Sequence, residues 1–247
     1  MALAKMKKLS LVISRNDIAS VLCELMLLGC VEVCEPDELL ADPELSALVT
    51  RENAETERCR ADLSLLERGI DTINKYAPAD GGKSSLRPAV TFDKLLYETD
   101  AENCLKLAKL LDTLDSMIIT LTTGEKGEYT AQIAENAAHL DDLQLCYDHY
   151  CVRITIAQAV EKLLGTDYTL ILTGWTPAAS ENVLIQKLSQ YTCAWQISDP
   201  SHGEGENVPI KLTGPKFLGK FNKDGGKQFQ PMTVDTKYVD VIRGQYI

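Results

Sequence analysis

Cys146, Asp148, His149 and Cys151 form the one cluster in this 247-residue chain whose residue types suit a metal ion. Thiolates and imidazoles are zinc ligands, and a structural zinc takes four of them in a tetrahedron. A helix turns ~100° per residue, so Cys146 and His149 share a face while Cys151 sits about 140° from Cys146. A fourth ligand would have to come from elsewhere, and the spacing favours packing of the cysteines in an apolar core. Gly82-Lys83-Ser84 has the ending of a phosphate-binding loop. That motif needs a glycine five residues before Gly82, where Ala77 stands, and a strand ahead of it, where a helix is expected. A solvent loop is the expectation. The three histidines, His139, His149 and His202, stand beside no Ser or Cys in a nucleophile motif such as G-x-S-x-G. Cys23, Cys30 and Cys34 lack C-x-x-C spacing and read as core. The carboxylates of Glu52, Glu55, Glu57, Asp141 and Asp142 fall on polar helix faces, the pattern of a solvated surface. No catalytic residue, cofactor site or metal site is read from this chain.

Charge and hydropathy narrow the classes further. A formal net charge of −11 disfavours nucleic acid and anionic lipid, which reward clustered Lys and Arg. No apolar run approaches the ~20 residues that span a bilayer. The apolar run at residues 9–13 is shorter than the ~7–15 residues of a signal-peptide core and reads as a first strand, so a cytosolic chain with reduced cysteines is expected.

The elements that would position any site centre on residues 100–164. Cys104, Leu107, Leu111, Leu114, Ile118 and Leu121 recur in steps of three and four. Ile133, Ala137, Leu140, Leu143, Tyr147, Tyr150 and Ile154 do the same after the reversal near Gly124. One apolar seam on each of two helices is the requirement of an antiparallel coiled-coil hairpin. As a functional feature the hairpin would offer Leu114, Ile118, Leu121, Ile133 and Leu140 to a partner; as plain structure it is the core of a bundle.

Around the hairpin the chain reads as an α/β lobe built from both ends. Residues 6–14 form a strand with Leu9, Leu11 and Ile13 on one face. A helix follows, capped by Ser14 or Asn16, with Ile18, Val21, Leu22 and Leu25 inward, and Gly29 ends it. Residues 31–34 are a second strand. One helix is expected from Pro43 to about Tyr76, and Thr91 caps a short helix through Tyr97. Thr99 or Asp100 caps the first arm of the hairpin. Residues 168–175 form a central strand, Pro177 opens a helix with Val183, Leu184 and Leu188 inward, and residues 192–197 form a further strand. Repeated β-α-β logic implies a small ferredoxin-like lobe. The division expected is 1–99 and 165–217 for the two halves of the lobe, 100–164 for the hairpin, and 218–247 for a polar tail. From Asp199 onward an extended or poorly ordered segment is expected, with a strand conceivable over residues 234–242.

Three stretches in this order carry a resemblance. Met6-Lys-Lys-Leu-Ser-Leu-Val with Leu28-Gly-Cys-Val-Glu-Val33, then Leu172-Thr-Gly-Trp-Thr-Pro177, then Asn207-Val-Pro-Ile-Lys-Leu212 with Pro215-Lys-Phe217, resemble subunit I (subunit a) of the rotary V-type and A-type ATPases. The resemblance implies a cytoplasmic arm of α/β lobes joined by a helical hairpin, which binds peripheral-stalk subunits and holds the stator during proton or sodium transport. It implies structural roles for Gly174 at the strand exit, Trp175 in the lobe core and Pro177 at the next helix start. Two departures stand out. The hairpin turns at Gly124, where the family inserts a distal lobe. After Phe217 the run Gly219-Lys-Phe-Asn-Lys-Asp-Gly-Gly replaces the continuation into membrane helices, so no ion-translocating arginine is assigned. The reading of a different class is a small-molecule-binding regulatory α/β module with a coiled-coil dimerisation hairpin, which rests on fold analogy.

Overall fold

The computed structural model describes residues 2–52, 55–77, 87–121, 126–201, 207–213 and 227–242. The Gly82-Lys83-Ser84 loop, Gly124, His202, Pro215-Lys-Phe217 and the run from Gly219 lie outside them. In chain order come β1 (Ala2–Leu3), β2 (Met6–Ser14), α1 (Ile18–Leu28), β3 (Glu32–Cys34), α2 (Asp37–Ala41), α3 (Pro43–Ser46) and β4 (Thr50–Arg51). Next are α4 (Thr56–Tyr76), β5 (Ala89–Thr91), α5 (Phe92–Tyr97), α6 (Ala101–Thr120), α7 (Lys126–Glu135) and, after a 3₁₀ turn, α8 (Leu140–Val160). The chain continues through β6 (Leu164–Gly165), β7 (Thr169–Pro177), α9 (Glu181–Leu188), β8 (Cys193–Ser198), β9 (Leu212–Thr213) and β10 (Asp240–Ile242). The protein is α+β and divides into two compact units, Met1–Ala54 with Thr155–Val234 and Glu55–Ile154 with Asp235–Ile247.

In the first unit β2 pairs antiparallel with β7 along its whole length and with β8 on its other side, while β3 pairs antiparallel with the far edge of β7. The order β8-β2-β7-β3, with α1 after the first strand and α9 after the third, is ferredoxin-like. Period-two alternation sets the two faces. Leu9, Leu11 and Ile13 are fully buried, as are Val21 and Leu25 of α1 and Leu184 of α9. α1 packs against α9, and Gly29, at φ 59°, ends α1 by donating its N–H to the Leu25 carbonyl at 3.1 Å. Lys8, Ser10 and Val12 point to the opposite face.

Several expectations need correction here. The α1 N-cap is Asp17 rather than Ser14 or Asn16, and its carboxylate accepts from the Thr192 N–H at 2.9 Å instead of capping. The single helix from Pro43 to Tyr76 is broken. Thr50 and Arg51 pair with β6, and Glu52 binds Arg15 at 2.6 Å, so pairing with the sheet edge wins over helix propensity. Val183 is half exposed, with Leu184 and Leu188 alone of the expected set buried. The helical unit begins at Glu55, not near residue 100, because α4 packs against α6 and α7 and shares their core. The described part of the tail is extended but tied down. Phe229 and Met232 are buried in the first unit, and the Met232 N–H reaches the Val31 carbonyl at 2.8 Å. Of the strand conceivable over 234–242, only Asp240–Ile242 forms, parallel to β5.

In the second unit the hairpin arms α6 and α7–α8 are found with α4 laid against them. Arg68 meets Asp112 and Lys75 meets Asp115, each at 2.8 Å, so the pairs rise together and α4 runs parallel to α6. At the crossing, Gly69 lets α4 come down on Ala108, where a Cβ would stand 3.0 Å from the Ala108 Cα. The shared core joins Cys59, Leu66, Ile70 and Ile73 to Cys104, Leu111, Leu114, Ile118, Ile133, Leu143, Cys146 and Tyr150. As expected, Thr91 and Asp100 cap α5 and α6, accepting from the backbone N–H of Lys94 and Asn103.

Candidate functional site

The hairpin residues read as a partner surface lie inward. Leu114, Ile118 and Ile133 are 4%, 5% and 0% exposed, and Leu121 and Leu140 are half-buried. The seam that sequence periodicity finds is therefore the core of a bundle, filled by α4. The apolar groups that α6 does expose are Leu110, Met117 and Ile119.

The candidate metal cluster is likewise dispersed into packing. Cys146 is fully buried in the bundle core, where contact with the Cys104 thiol first, and burial second, push its own thiol up. His149 is buried with Nδ1 2.9 Å from the Leu95 carbonyl, to which it donates, and burial holds it below the usual imidazole value. Among the described residues no group of three or more His, Cys, Asp or Glu is placed to hold a metal ion.

Asp148 has a role that no motif announced. Its carboxylate, 0% exposed, accepts from three successive backbone N–H groups: Lys237 at 2.6 Å, Tyr238 at 2.8 Å and Val239 at 2.8 Å. Burial raises its pKa and the three amide bonds pull it back down. Tyr238 packs edge-on against Tyr147, and Lys237 lies over both rings on its way to Glu67. The segment that leads into β10 is thus anchored on α8.

In the α/β unit, Gly174 makes the close pass of β7 and β3 possible, since a Cβ there would overlap the Glu32 carbonyl oxygen. Trp175 is 6% exposed, yet it packs on the face opposite the helices, with Met6 and Phe229. Pro177 ends β7 in extended conformation, and α9 begins only at Glu181 after a 3₁₀ turn, so Pro177 does not open that helix.

The face of the sheet away from α1 and α9 holds a groove of about 690 Å³. Strand register orders its floor in rungs. Ala194, Val12 and Ile171 lie side by side, then Gln196, Ser10, Thr173 and Cys34, then Ser198, Lys8, Trp175 and Glu32. Pro36, Asp37, Leu39, Asn207 and Lys227 complete the lining, with Lys227 on the β3 side beside Glu32 and Asp37. Lys227 is held by the buried Glu32 carboxylate at 3.0 Å, which also accepts from the Gln230 N–H at 2.9 Å. The signal for this groove was present in β2, where Lys8, Ser10 and Val12 alternate with the core residues, but nothing in the sequence showed that, among the described residues, no helix packs over these strands. Compared with known proteins, the chain matches no family model and no characterised protein.

Proposed function

We propose that this chain is the cytoplasmic arm of subunit I of a rotary V-type or A-type ATPase, a non-catalytic stator piece that ties peripheral-stalk subunits to the membrane sector. The observation that carries the reading is the splice: a helical unit enters the chain between β3 and β7, the second and third strands of a ferredoxin-like lobe. That is the organisation the three resembling stretches imply, and the close pass at Gly174 and the buried indole of Trp175 support the reading. Among the described residues no helix is long and apolar enough to cross a membrane.

Stalk docking on the hairpin falls to the outer side of α6. Leu110 and Met117 are exposed seven residues apart, with Lys106 and Lys109 alongside, a stripe that suits a partner helix carrying an apolar seam and carboxylates. Calorimetric titration with a purified stalk heterodimer tests the reading. Binding at micromolar concentration or tighter is expected, weakened about tenfold or more by Leu110→Glu with Met117→Glu. No binding at micromolar concentration overturns it.

A further inference from the structure

The open groove of the α/β unit is graded along its length. At one end Ala194, Val12 and Ile171 are apolar and carry no hydrogen-bonding side chain. The middle rung of Gln196, Ser10, Thr173 and Cys34 supplies hydroxyl, amide and thiol groups, and the far rung supplies the Lys8 ammonium beside the Trp175 indole. Alternate residues along a strand are ~7 Å apart, so about 14 Å separates the apolar rung from the cationic one. Lys227 joins the cationic end because Glu32, on that same rung, holds it there. Of an ammonium's three donors the Glu32 oxygen takes one. The carboxylates at the rim do not oppose an anion equally. Glu35 is engaged by Arg51 at 3.0 Å and Glu32 by Lys227. Asp37, at the start of α2, lines the groove near enough to Lys227 to favour its charged form, and it is the one carboxylate there that a bound anion would meet.

A volume near 690 Å³ falls within the ~300–1,000 Å³ of small-ligand sites, and a mostly apolar lining with a few convergent polar groups is their usual composition. We propose that this groove binds a small amphipathic carboxylate, its apolar part over Val12, Ile171 and Ala194 and its carboxylate at Lys8 and Lys227. Thr173 does not compete for that headgroup, since its hydroxyl donates to the Cys34 carbonyl at 3.2 Å. Burial of the apolar part supplies most of the affinity, and the ammonium groups set the sign of charge that the site accepts. This site stands apart from the stator reading, because no residue of it lies in the helical unit.

The molecule carries its own reporter. Of its two tryptophans, Trp175 stands on the cationic rung, whereas Trp195, in register with Leu11, falls on the helix-facing side of β8. Emission read in a Trp195→Phe variant therefore reports the groove through Trp175. Decanoate titrated into the full chain with that substitution is expected to give a saturable emission change, with acetate giving none. Decyltrimethylammonium, of the same chain length and opposite charge, is expected to bind about tenfold more weakly or worse. Val12→Glu, on a residue 44% exposed, is expected to abolish the decanoate response. Lys8→Ala with Lys227→Ala is expected to weaken it about tenfold and erase the preference over the ammonium. Circular dichroism checks the fold of each variant, and Ala194→Glu on the same rung replaces Val12→Glu should that variant unfold. A response that does not saturate, that is equal for the two head groups, or that survives the rung substitution overturns the proposal.

Discussion

Gly174 and Glu32 face each other across β7 and β3 so closely that the Glu32 carbonyl oxygen occupies the place of a Gly174 Cβ. The neighbour is backbone, pinned by the β3–β7 ladder and by the salt bridge from Glu32 to Lys227, so it has little room to yield. Gly174→Ala should therefore cost about 2–3 kcal/mol, the upper range for forcing a carbon into a packed site. Urea unfolding of the variant against wild type measures it. A loss below about 0.5 kcal/mol would mean that β3 can move away freely.

Asp148 in the second unit is an acceptor surrounded by donors. Asp148→Asn keeps the volume but turns one oxygen into an NH₂ that faces the amides of 237–239. At least one N–H loses its acceptor, at a cost of roughly 1–3 kcal/mol for a buried unsatisfied group. The expected signature is local: faster hydrogen exchange at the amides of Lys237, Tyr238 and Val239, with the core amides around Ile70 and Leu111 less affected. Unchanged protection at those three amides would show that Tyr238 packing and the β10–β5 pairing hold the segment without the carboxylate.

Elements with strong periodicity or a chemical stop were legible from the sequence, and elements whose position depends on a distant partner were not. β2, with Leu9, Leu11 and Ile13 on one side, and α1, ended by Gly29, were readable because alternation and a left-handed cap are local signals. The break after Ser46 was not, because it exists only where Thr50 and Arg51 meet β6, more than a hundred residues away. The seam of Leu114, Ile118 and Ile133 was correctly found as apolar, but periodicity cannot say whether a helix of the same chain or of another fills it. Here α4 does. Asp148 read as a member of the metal-type cluster of Cys146, His149 and Cys151 and not as an anchor, since its partners are backbone amides that have no residue type to recognise. The tail looked unstructured for the same reason: Phe229, Met232 and Val239 are isolated anchors without a period.

His149 makes stability depend on pH with a definite sign. Buried and donating from Nδ1 to the Leu95 carbonyl, it resists protonation, so its native pKa lies below 6.5. In the unfolded chain it takes a proton near pH 6.5, and between that value and the native one the unfolded state binds more protons. Stability is thus present above pH 6.5 and is lost as pH falls through this window. Arg153 on the same helix works in the same direction. Asp148 acts in the opposite sense at lower pH: burial raises it above 3.8, so the native state keeps its proton where the unfolded state has lost it. Denaturant midpoints at pH 7.5, 6.5 and 5.5 should fall in that order, and His149→Asn, whose amide can keep the bond to Leu95, should flatten the decline. An equal decline in the variant would assign the effect to another group.

The eight cysteines should be far less reactive than their number suggests. Cys23, Cys30, Cys59, Cys104 and Cys146 are buried, and Cys34, Cys151 and Cys193 are half-buried. The attacking species is the thiolate, and burial suppresses it even at the accessible positions: the Cys34 and Cys193 thiols are pushed up, and that of Cys151 to about 12. Cys104 is held below its usual value by the Cys146 thiol, yet it lies in the bundle core, 8% exposed, and donates to the Asp142 carbonyl. Native protein treated with a disulfide reagent at pH 8 should therefore react slowly and at no more than the three half-buried positions, with all eight thiols released in guanidinium. Peptide mapping that found Cys104 or Cys146 labelled in the native protein would mean that α4, α6 and α8 separate on the timescale of the reaction, and the bundle would then be a dynamic one.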